Sequence, residues 1–136
     1  MGLDANLFKI KFKVKSDLEY EKIRDKKWKE LNKDCKQFEK WERDIWTEVL
    51  YTSSWDIAHL IDQRNIGDKK VDFEEARDLV LDGEDIKIIL QSMKSARQDA
   101  RYENVYEELD KHIEELAKCL EIIDFKKETL LYGEWF

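Results

Sequence analysis

A chain of 136 residues with 42% charged side chains, no Pro, four Gly and five Trp is long enough for one domain and short for two. The missing Pro and scarce Gly exclude collagen-like and low-complexity chains, and an aromatic content of 12% separates it from a charged disordered tail. A net charge of −7 disfavours general attraction to nucleic acid or anionic membrane, although residues 1–50 carry 13 basic and 11 acidic side chains against 12 and 21 in residues 51–136.

Residues Leu3 to Lys15 are predicted to form a strand. Phe8, Ile10, Phe12 and Val14 alternate with Lys9, Lys11, Lys13 and Lys15, the period of a strand with one buried face. Leu3, Ala5 and Leu7 alternate in the opposite phase. The change between Leu7 and Phe8 calls for a bulge or a strand buried on both faces.

Ser16 or Asp17 can cap one long charged helix from Asp17 to Arg43, with Trp28, Leu31, Cys35 and Phe38 as a narrow apolar seam. Trp41 and Trp46 fall off that seam. Thr47 to Tyr51 reads as a short strand, and a helix capped at Thr52, Ser53 or Ser54 follows to about Arg64.

Asp72 is placed to cap a short helix holding Phe73, Ala76, Leu79 and Val80. Asp82 caps another, with Ile86, Ile89, Leu90 and Met93 facing inward. A last long helix spans about Tyr102 to Ile123, and Thr129 to Phe136 reads as a closing strand. The expected fold is α+β: one mostly helical domain over 1–136, with the two terminal strands paired in a small sheet.

The opening Met1-Gly2-Leu3-Asp4, followed by an aromatic and lysine strand, resembles a group of small uncharacterised proteins encoded by bacteriophages and prophages. Glu48-Val49-Leu50-Tyr51, with Ala58 and His59 beyond, is similar to that group's "EVxYWRKAxxIHxWF" block. Thr52-Ser53-Ser54 stand where the block has Trp-Arg-Lys. The segment Asp82 to Met93 is similar to its capped leucine-rich helix, and the stretch from Asp124-Phe125 to the Tyr132-x-x-Trp135 strand to its "DFxxExxxYxSSW" close. The resemblance implies a mobile-element setting and paired terminal strands. It implies no activity.

Chemistry-bearing residues are sparse. Asp56, His59 and Asp62 recur every three residues on one helix, a candidate metal or catalytic stripe that lacks a second His or Cys. His112 and Cys119 lie two helical turns apart, roughly 10 Å, too far for thiolate activation. Both Cys119 and Cys35 are expected in the core, reduced, in a cytoplasmic protein. The acidic run Asp68 to Asp85 fails the calcium-loop pattern, with Val80 and Ile89 where oxygen ligands belong. No phosphate loop or nucleophile elbow occurs, so no cofactor or metal is expected.

Lys9, Lys11, Lys13 and Lys15 would project from one strand face about 6.6 Å apart. The expected function is non-enzymatic: occlusion of a host or defence-system protein, with Trp41, Trp46 and Trp135 as contact residues beside the lysines. The alternatives are a nucleic-acid module on the lysine face, an acidic DNA mimic using Asp68 to Asp85 and the last helix, and a metal-dependent enzyme at Asp56, His59 and Asp62. A monomer or a homodimer is compatible with the sequence.

Overall fold

In a computed structural model, the structure describes residues 2–66 and 79–135, the side chains of 62–66 and 135 excepted. In chain order the described elements are β1 (Asp4–Ile10), α1 (Asp17–Glu30), α2 (Cys35–Ile45), β2 (Trp46–Thr52), α3 (Trp55–Ile66), β3 (Leu79–Leu81), α4 (Gly83–Arg97), α5 (Tyr106–Ile122) and β4 (Thr129–Trp135). A 3-10 turn over Ala100–Val105 leads into α5. The fold is α+β, as its patterning implies.

The strands form an antiparallel sheet in the order β2-β1-β4-β3. The N- and C-terminal strands are its central pair, from Asp4 opposite Trp135 to Ile10 opposite Thr129. The phase change in β1 has a definite cause. Leu3, Ala5 and Leu7 bury into one core with α3, α4 and α5, whereas Phe8 and Ile10 bury into a second on the opposite face. β1 itself runs unbroken along β4. The extra residue sits in β2, where Leu50 pairs with Leu7 and Glu48 with Phe8, leaving Val49 as a bulge.

The larger core joins Leu50, Leu81, Leu130 and Tyr132 of the sheet to Ile57 and Ile61 of α3, Ile86, Ile89 and Met93 of α4, and Leu109 and Leu116 of α5. Each fully buried aliphatic side chain stabilises the fold by about 1.5–3 kcal/mol relative to exposure. α4 starts where expected: Asp82 accepts from the Asp85 amide at 2.8 Å and Asp85 reciprocates at 3.0 Å. Leu79 and Val80, expected in a helix, are instead strand residues opposite Tyr132 and Leu131. Their sheet partners lie some fifty residues away, so local periodicity misleads there. The expected helix cap at Asp72 falls outside the described residues.

The single helix expected from Asp17 to Arg43 is two helices. Asn32 and Lys33 take left-handed conformations (φ 55° and 58°), and the Lys33 amide donates to the Trp28 carbonyl at 2.9 Å, closing α1. Asp34 then caps α2, its carboxylate accepting from the amides of Lys36 and Gln37 at 3.0 and 3.1 Å. Asn tolerates left-handed φ and Asp favours a cap, so the break needs no Gly or Pro. The same break overturns the expectation for Cys35, which is exposed at the start of α2 instead of buried in a seam.

Candidate interaction surface

α1 and α2 form a helical arm over the second core. Tyr20 and Ile23 of α1, with Ile45 and Trp46 at its return, cover Phe8, Ile10, Val14 and Leu131. Beyond that base the arm packs on itself. In α1 only Asp17 and Tyr20 are buried, and in α2 no residue is.

Aromatic and basic side chains join the two helices. The Trp28 ring meets Phe38 edge-on at 5.4 Å, and Phe38 lies 5.6 Å from Trp41. The Arg24 guanidinium sits 5.6 Å from the Phe38 ring centre and pairs with Glu42 at 3.1 Å, while Lys27 Nζ lies 6.0 Å from the Trp41 ring. These contacts leave open grooves on the arm. One of about 510 Å³ is lined by Glu21, Arg24, Asp25, Trp28 and Phe38; another of about 350 Å³ includes Phe12, Lys26, Lys27 and Trp41.

Of the sequence-derived candidates, Trp41 belongs to this arm and stays half-buried. Trp46 is different in kind: its ring packs at a tilt against Phe8, 5.2 Å between centroids, as part of the second core, with one side open to a groove beside Arg43. Trp135 ends β4 opposite Asp4, and its side chain lies outside the described residues.

The four lysines do not share a face. β1 ends at Ile10, so the alternation of Lys11, Lys13 and Lys15 continues in sequence but not in the sheet. Lys9 points to the larger core side and pairs with Glu128 at 3.0 Å. Lys13 donates to the Phe125 carbonyl at 2.8 Å, and Lys11 and Lys15 are exposed.

Asp56 and His59 are exposed on α3, with His59 edge-on to Trp55 at 6.3 Å; the Asp62 side chain lies outside the described residues. Among the described residues, no group of three or more His, Cys, Asp or Glu is arranged to hold a metal ion. Cys119 is buried, and burial pushes its thiol up to about 11, away from any nucleophilic role. Most of the acidic stretch Asp68 to Asp85 lies outside the described residues. No described helix is long and apolar enough to cross a membrane.

Two features emerge only from the structure. The first is His112, fully buried on α5, with Nε2 3.1 Å from Glu108 and Nδ1 3.2 Å from Glu115. Glu108 also accepts from the Thr52 hydroxyl at 2.8 Å, which locks α5 to β2. The i, i+4 and i, i+3 spacings of Glu108, His112 and Glu115 are visible in the sequence; the burial is not.

The second is the acidic rim of β2. Tyr51, 42% exposed, donates to Asp4 at 2.5 Å. That hydrogen bond, followed by partial desolvation and the charges of Asp4, Glu48 and Glu108, raises its pKa above the usual tyrosine value.

Set against protein-family models, curated proteins and solved structures, the chain matches none of them.

Proposed function

We propose that this chain is a small non-enzymatic binding protein of a phage or related mobile element, which occludes a host or defence-system protein through the α1–α2 arm. One observation carries the reading. α2 buries no residue, yet it holds Phe38 and Trp41 against Trp28, Arg24 and Lys27 at the surface. Half-buried Trp flanked by Arg is the residue type that dominates binding energy at protein interfaces. The mobile-element setting is supported by the resemblance of the Met1-Gly2-Leu3-Asp4 opening and the Tyr132-x-x-Trp135 close.

Charge balance favours a protein partner over a phosphate backbone. Residues 17–45 carry nine basic and nine acidic side chains, so the arm has no net charge to release counterions from nucleic acid. Affinity purification from the native host, with wild type and variants side by side, tests the proposal. Trp41→Ala should reduce partner recovery at least tenfold while moving the melting temperature by only a few degrees, the ordinary effect of a surface change. An equal fall in recovery and melting temperature would make Trp41 a packing residue and remove the arm as the contact.

A further inference from the structure

We infer that the free edge of β2 is a docking site for an extended, lysine- or arginine-bearing segment of a protein partner, which adds to the sheet as a fifth strand. The inference rests on the reading of the chain as a binding protein, but it concerns a surface separate from the arm.

Among the described residues, β2 has one strand neighbour, β1. In such a strand, alternate residues turn their N–H and C=O groups away from the sheet. Among the described residues, no main-chain group of Thr47 to Tyr51 bonds to anything except β1. The seven residues of β2 offer roughly 24 Å of edge, at about 3.4 Å per residue. Thr47, Glu48 and Tyr51 are exposed along it. Strand addition uses such an edge: main-chain hydrogen bonds supply affinity, and the side chains beside them supply selectivity.

Charge identifies the occupant. Asp4 accepts from the Tyr51 hydroxyl, Glu108 accepts from the Thr52 hydroxyl at the end of the strand, and Glu48 is exposed on the strand itself. Lys9, across the ladder from Thr47, is taken up by Glu128, and Arg43 lies at the opposite, Trp46 end. An incoming segment with basic residues on alternate positions would meet these carboxylates. A second copy of the chain would not, because edge-to-edge pairing of two β2 strands brings two sets of Asp4, Glu48 and Glu108 together. A net charge of −7 per chain opposes it further.

The test uses the full chain and three synthetic ten-residue probes: an alternating lysine–valine peptide, its alternating glutamate–valine counterpart, and the lysine–valine peptide N-methylated at every second amide. The lysine–valine peptide should bind and slow amide exchange within β2. The other two should bind at least tenfold more weakly, the first for lack of complementary charge and the second for lack of donors. Glu48→Lys should weaken the lysine–valine peptide severalfold with an unchanged melting temperature, and Trp41→Ala should leave it unaffected, which separates this site from the arm. Equal binding of the N-methylated peptide would reduce the effect to charge attraction and overturn strand addition. So would protection confined to residues outside β2. Concentration-dependent dimers with β2 protected would replace the basic segment with a second copy.

Discussion

Leu7 and Phe8 are neighbours in β1 that bury into different cores: Leu7 faces α4 and α5, and Phe8 faces α1 and the Trp46 ring. The two cores therefore meet along one strand, and they are unequal. The larger has helices stacked across a sheet face. The smaller is roofed by the base of an arm.

Removing either side chain should reveal that inequality. Leu7→Ala is expected to cost about 2–5 kcal/mol and to lower protection throughout α4 and α5, because it opens a cavity at the centre of the main core. Phe8→Ala should cost about 3 kcal/mol and release the amides of α1 before those of α4. Residue-resolved hydrogen exchange makes the comparison. Identical patterns in the two variants would mean a single cooperative core.

The turn between α1 and α2 holds Lys33 in a left-handed conformation that a β-carbon disfavours. Lys33→Gly should relieve this and stabilise the chain by up to about 1 kcal/mol in urea unfolding, partly offset by the greater freedom of glycine when unfolded. Lys33→Val should destabilise it, since a β-branched residue fits that conformation worst.

The two thiols should differ sharply. Cys35 is exposed, whereas Cys119 is buried with its pKa pushed up to about 11. Ellman's reagent at pH 8 is expected to titrate one thiol per native chain, lost in Cys35→Ser, and two after denaturation. Fast labelling of two thiols in the native protein would contradict the burial of Cys119.

The Lys9–Glu128 pair makes a pH-dependent contribution whose sign is fixed. The hydrogen bond from Lys9, then that from the Asp124 amide, hold the Glu128 carboxyl below its usual value of 4.5. A depressed folded pKa gives stability that is present above the unfolded value and lost as pH falls through the folded one. Glu128→Gln should therefore destabilise by up to about 1 kcal/mol at pH 7 and by almost nothing near pH 2. A difference independent of pH would show that shape, not charge, is what Glu128 contributes.

Much of the sheet was legible from alternation. The opposite phases of Leu3-Ala5-Leu7 and Phe8-Ile10 expose a strand buried on both faces, because side chains of a strand must take turns. Asp82 marks the start of α4, since a cap acts through its own neighbours. What depended on distant contacts was hidden. Lys11, Lys13 and Lys15 keep the strand's rhythm after the chain has left the sheet at Ile10. Leu79 and Val80 acquire strand geometry from β4. The break at Asn32 was local yet easy to miss, because Asn and Lys occupy a conformation usually flagged by Gly. The acidic rim of β2 combines Asp4 of β1, Glu48 of β2 and Glu108 of α5, which meet only in the folded chain.

That strand order also bears on how the molecule assembles. The two centre strands are the first and last segments of the described chain, so the middle of the sheet closes only when residues 4–10 meet residues 129–135. Contacts of that sequence separation carry a large loop-closure cost before they return any stability, which slows folding relative to a helical bundle of the same size. During synthesis the helices α1 to α5 emerge before Thr129 does. Until then β1 lacks its β4 partner, and one side of its ladder from Asp4 to Ile10 has no strand to bond.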